Sequence, residues 1–227
     1  LLYPHVQNGG TADLNIQNHF VTRIIAALCS FSNFKGFITH IRNAAETLAA
    51  KLGYSKVSEE KLAVALKIRD YVIGGGFMFA MCSATDSFDI ALAAEGVDIC
   101  EPMFGGDPSE SGYQSKIDYN RTFAFKDFTL ERSPNVYEFS SIDVTNTRKV
   151  NRNTDYFTLM DYSAKWDPIP CMLVQNHTAL VKGFMGQTTG FNKNMIKSHV
   201  IIMGEDPSSN QAKYIHGNYG KGTYTFY

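Results

Sequence analysis

Apolar and polar positions along the chain change their period at a run of three glycines. Before that run, Asn43 to Leu52 is an Ala-rich segment at helical spacing that closes on Gly53. Ser58 is placed to cap a second helix, with Glu59 and Glu60 supplying the negative charge favoured in a first turn. Leu62, Leu66, Arg69 and Ile73 keep the helical period until Gly74-Gly75-Gly76 ends it. A continuous apolar run, Phe77-Met78-Phe79-Ala80-Met81, then reads as a buried strand. The polar cluster Ser83-Ala84-Thr85-Asp86-Ser87 opens a third helix through Phe88 to Ala94, stopped by Gly96. Helix, strand and helix in that order predict an α/β sandwich with parallel strands, in which Phe77–Met81 is an interior strand.

The second half has a different texture. From Arg121 to Tyr227, short runs rich in Thr, Val, Phe and Tyr are separated by turn residues: 122–130, 136–139, 156–160, 172–175, 199–203 and 213–215. These predict strands and hairpins, some of them extending the parallel sheet at its edge. The last residues, Lys221 to Tyr227, alternate like a strand and stop without a turn, so the chain reads as cut inside its sheet. Residues 1–41 contain one amphipathic stretch, Phe20 to Leu28, among Asn, Ser and Gly punctuation, and carry no motif. The organisation is therefore an unassigned segment, 1–41, and one domain, 42–227.

Composition narrows the function classes. A hydrophobic content of 44% in 227 residues supplies one sizeable core. A formal net charge of -1 gives no basic field for nucleic acid. The apolar stretches are too short to cross a bilayer, and Leu1-Leu2-Tyr3-Pro4-His5 has no basic-then-apolar leader pattern. Cys29, Cys82, Cys100 and Cys171 form no C-x-x-C pair, which leaves zinc-ribbon and thioredoxin readings without support, and no cofactor is called for.

Cys82 stands out because it falls where the apolar run meets the polar cluster. A thiol at a strand-to-helix turn occupies a nucleophile-elbow position, facing unpaired N–H groups of the helix start, here those of Ser83 and Ala84. Such a site would be reactive at neutral pH. Cysteine is also a small, frequently buried side chain, and packing is the competing reading. Of the six histidines, His177 is the best placed to act as a base, since Gln175-Asn176-His177-Thr178 is a polar break after an apolar run; the same pattern describes an ordinary loop. His199 and His216 alternate with apolar neighbours and read as outward-facing strand residues. Trp166, in Lys165-Trp166-Asp167-Pro168-Ile169-Pro170, is either a stacking platform for a sugar or peptide or a pin for its loop.

The stretch from Gly74 to Asp86, with Phe88 to Cys100 after it, resembles a group of bacterial proteins labelled asparagine synthetase B, within the class I glutamine amidotransferase-like superfamily. Tyr156-Phe157-Thr158-Leu159-Met160, the Trp166 segment and the His177 segment extend the resemblance, which runs from about Asn43 to Tyr227. It implies a flavodoxin-like fold and a Cys nucleophile working through a γ-glutamyl thioester with a His base and a carboxylate. Cys82 alone carries over by position. The resemblance places the His just after the last strand, beyond Tyr227, and implies an exported or periplasmic setting. ATP-dependent synthesis has no sequence support: Leu1 is not the N-terminal cysteine of such enzymes, and Gly74-Gly75-Gly76 lacks an Asp-Ser partner. The elbow also lacks the glycine usual beside the cysteine. Three readings remain: a Cys82-dependent enzyme on a small amide, a non-catalytic sugar- or peptide-binding domain, and a piece without independent function.

Overall fold

The computed structural model describes residues 34–102, 107–133, 136, 138–145, 156–160, 179–183 and 186–227. Helix α1 spans Phe34–Lys51 and α2 spans Val57–Ile73. The α2 start differs slightly from the sequence expectation. Glu59, not Ser58, organises it, with its carboxylate accepting the Ser55 and Lys56 N–H groups and the Ser55 hydroxyl. Strand β1, Phe77–Ala80, follows the glycines, and α3, Ala84–Ala93, follows β1. Gly53, Gly75 and Gly96 all take positive φ just past a helix end.

The remaining strands are β2 Tyr156–Leu159, β3 Leu180–Lys182, β4 Phe191–Asn192, β5 Ile201–Asp206, β6 Gln211–Tyr219 and β7 Gly222–Phe226. They form one sheet in the order β1-β7-β6-β5-β2-β3, with β4 on β6. Among the described residues only β1 and β7 run parallel, and every other pairing is antiparallel. The sheet is curled and mixed, a half-barrel. The expected flavodoxin-like sandwich with a mostly parallel sheet is therefore overturned. Parallel neighbours need a crossover of a dozen residues or more, whereas β5–β6 and β6–β7 are joined by tight turns that force reversal. In the first turn Asp206 accepts from Ser208 and Ser209; in the second, Gly220 supplies a φ of +62°.

Other sequence expectations divide. Strands at 156–160, 199–203 and 213–215 are present as β2, β5 and part of β6, while 172–175 lies outside the described residues. The 122–130 run forms no regular strand. It is a loop with isolated bridges from Phe125 to Ile196 and from Leu130 to Ser140, yet Phe123, Phe125 and Phe128 are fully buried. The described residues of 136–139 form no strand either.

Helices α2 and α3 cover one sheet face, where Val72, Phe88, Leu92, Phe123, Ile215 and Phe226 belong to the main core. The other face carries a smaller cluster of Phe157, Leu159, Met203 and Tyr214. The end of α2 sits on the β6–β7 hairpin: Lys221 N–H donates to Ile73 O at 3.0 Å, and Thr223 N–H to Gly76 O at 3.1 Å. A Cβ on Gly222 would fall 2.2 Å from both Val72 O and Gly76 O, so this approach needs glycine.

Candidate functional site

Among the described residues β1 has β7 as its single neighbour and stands at the edge of the sheet they form, so the expected interior position finds no second partner there. The edge position withdraws the support that a central strand would have lent to an elbow. The register pairs Phe77 with Thr223 and Ala80 with Phe226, and the pairing continues past both strands. Tyr227 N–H donates to Ala80 O at 2.9 Å, and Cys82 N–H donates to Tyr227 O at 3.0 Å. Because the two strands are parallel, the Tyr227 backbone lies beside the Cys82 turn.

The turn itself is strained. Cys82 has a φ of 58°, a left-handed conformation that costs a non-glycine residue about 1–2 kcal/mol. Ala84 N–H donates back to Met81 O, and the Thr85 N–H and hydroxyl both donate to Cys82 O. Of the two expected oxyanion donors, Ala84 is therefore engaged within the turn, while the Ser83 N–H has no acceptor among the described residues. An elbow uses the N–H of the residue after the nucleophile, which is Ser83 here. Cys82 is partly exposed and is a free thiol, as is Cys100. Burial pushes the Cys100 thiol up.

No described histidine hydrogen-bonds the Cys82 sulfur. His216 is buried, not outward-facing: its Nδ1 lies 2.9 Å from Thr225 Oγ1, and burial lowers its affinity for a proton. His199 is exposed, but it stands in the turn before β5 and not on a strand. His177 and Trp166 lie outside the described residues. The described residues contain no group of three or more His, Cys, Asp or Glu arranged to hold a metal. No described helix is long and apolar enough to cross a membrane.

Helix α3 instead presents two buried carboxyls one turn apart. Asp89 accepts the N–H groups of Phe123, Ala124 and Phe125 at 2.7–2.9 Å. Burial pushes it up to about 6, and those three donors oppose the rise. This arrangement folds the 122–126 loop and explains why an aromatic run that reads as a strand is a buried loop. Asp86, in the first turn of α3, is wholly buried; Thr188 Oγ1 lies 3.0 Å from its Oδ1, and its Oδ2 has no hydrogen-bond partner. Burial, and next the charge of Asp143, push Asp86 up to about 8. Thr188, itself at a φ of 55°, also places Oγ1 3.3 Å from Asp143 Oδ2.

Asp143 and Thr188 escaped the sequence reading because they sit in irregular segments without periodicity. Asp86 and Asp89 had a signal: two carboxyls at i and i+3 in an otherwise largely apolar helix. No family model matches the chain, and neither a curated protein nor a solved structure matches it.

Proposed function

We propose that this chain carries the nucleophile of a cysteine-dependent amidohydrolase or glutamine amidotransferase-like enzyme acting on a small amide. The observation that supports the reading best is the Cys82 turn: a strained, partly exposed thiol between strand and helix, next to a buried Ser83 whose N–H has no acceptor among the described residues. In this reading the Cys82 thiolate attacks the amide carbonyl, the Ser83 N–H steadies the developing oxyanion, ammonia leaves with a proton from the conjugate acid of the base, and water or another acceptor then displaces Cys82 from the acyl thioester. The base in this reading is a histidine; His177, the candidate from the sequence, lies outside the described residues. No ATP-dependent step is part of this reading. The test is glutamine hydrolysis by the full-length protein, beside its Cys82→Ala variant: activity lost in the variant supports the reading, and equal rates overturn it.

A second reading, a non-catalytic domain that binds a peptide or sugar, is favoured by a different observation. Phe77, Phe79 and Met81 are 39–41% exposed along one side of a strand at the edge of the described sheet. A full-length protein without Cys82-dependent hydrolysis would leave this reading in front.

A further inference from the structure

Thr188 Oγ1 faces Asp86 Oδ1 at 3.0 Å and Asp143 Oδ2 at 3.3 Å. A hydroxyl carries one proton and can donate to only one of the two oxygens. The other contact would set lone pair against lone pair, in a buried site, unless a carboxyl proton fills it. The surroundings locate that proton. Asp143 accepts the Thr145 N–H at 2.8 Å and the Thr188 N–H at 2.7 Å, donors that favour its charged form. Burial raises both carboxyls, but Asp86 is the more deeply buried, its Oδ2 has no partner, and burial outweighs the Thr188, Ser87 and Asp86 donors that favour its charged form.

We propose that Asp86 and Asp143 share one proton across the Thr188 hydroxyl, forming a pH-sensitive tie between the first turn of α3 and the loop segments 140–145 and 186–190. Asp86 O–H donates to Thr188 Oγ1, and Thr188 O–H donates to Asp143. Removing the proton leaves two carboxylates competing for one hydroxyl and loosens the tie. The tie lies four residues beyond Cys82 and does not depend on any role for that thiol. Burial first, and the Asp143 charge second, hold the proton on Asp86 through neutral pH.

Other titratable groups around the tie have separate partners. On α3, Asp89 is satisfied by three backbone N–H groups and is drawn toward its charged form by Lys197. At the far end of that helix, Glu95 pairs with Arg69 of α2 and with Arg121. Glu60 of α2 is buried, and its burial favours the protonated acid. From β6, Lys213 approaches the Gly190 backbone beside Thr145 and Gln211, and His216 bonds Thr225. Cys82 precedes the helix on its own turn.

Carbon-13 NMR of protein labelled at aspartate Cγ tests this directly, beside the Asp86→Asn variant, whose amide can donate to Thr188 permanently. One aspartate should remain protonated at pH 7 and titrate near pH 8, with the Thr188 and Thr145 amide shifts following the same midpoint. In Asp86→Asn both the carboxyl titration and the amide inflection should vanish. Aspartates all ionised at pH 7, or an amide inflection that persists in the variant, would overturn the proposal. If the variant does not fold, coincidence of the carboxyl and Thr188 midpoints in the wild type supports the tie, and separate midpoints overturn it.

Discussion

The Cys82 N–H donates to the Tyr227 carbonyl, which joins the turn after β1 to the end of β7. A thiol and the end of a strand far away in sequence thus meet through one backbone hydrogen bond. Cys82 should therefore be an accessible and positioned thiol. With limiting iodoacetamide at neutral pH, Cys82 should label roughly fivefold faster or more than Cys100, whose thiol is suppressed by burial. Peptide mapping by mass spectrometry reads the ratio. Equal or faster labelling of Cys100 would count against a reactive turn.

The left-handed backbone at Cys82 carries a measurable strain. Replacing Cys82 by Gly should stabilise the protein by about 1 kcal/mol in urea unfolding, since glycine adopts this φ without steric cost. Cys82→Val should destabilise it by a similar amount, because a β-branched residue tolerates the conformation least. If both variants unfold at the wild-type midpoint, the turn is relaxed.

Asp89 should matter to folding more than to any reaction. Asp89→Ala leaves three buried N–H groups in the Phe123–Phe125 loop unsatisfied, at about 1–3 kcal/mol for each. The variant should lose roughly 3 kcal/mol or more and show faster amide exchange at residues 123–125. A loss under about 1 kcal/mol would mean that the loop holds itself.

Stability should depend on pH through Asp86 with a definite sign. Its affinity for protons is higher folded than unfolded, so its contribution is complete below the unfolded value near pH 3.8 and is lost as pH rises to about 8. The difference in unfolding free energy between wild type and Asp86→Asn should therefore shift toward the variant by about 1.4 kcal/mol per pH unit across that window, then level off. His216 acts in the opposite direction: its depressed proton affinity makes its contribution complete above pH 6.5 and lost on acidification. A wild-type-minus-variant difference that is flat with pH would remove Asp86 as the titrating group.

Gly222→Ala should be among the most damaging small substitutions. The new Cβ would overlap two backbone carbonyls, Val72 at the end of α2 and Gly76 just before β1, which cannot rotate away. A loss of roughly 3 kcal/mol or more is expected in chemical denaturation. Near-wild-type stability would show that α2 does not rest on the hairpin.

Local chemistry in the sequence was enough for α2, β1 and α3, whereas α1 begins at Phe34, well before the Asn43 start that the spacing marks. Helical spacing, three glycines, an apolar run and a polar cap place α2, β1 and α3 in order, because each of these signals acts within a turn or two of chain. Alternating residues likewise mark β2, β5, β6 and β7, and the C-terminal half was correctly read as hairpin-rich. Strand direction and neighbourhood were not legible. Nothing near Phe77–Ala80 states that its partner is β7, that it ends an ordered edge among the described residues, or that the rest of the sheet is antiparallel. Those facts follow from which tight turns close and which faces bury. Phe123 to Phe128 shows the same limit, since its aromatic pattern reads as a strand and three N–H groups turned toward Asp89 make it a loop. For the site, Cys82 was visible from its place at a change of pattern, but the positive φ and the Tyr227 contact exist only when β1 and β7 pair. The Asp86–Thr188–Asp143 cluster is wholly a product of tertiary structure. Its members stand 57 and 45 residues apart along the chain, and only burial against one another turns two ordinary aspartates and a threonine into a shared-proton tie.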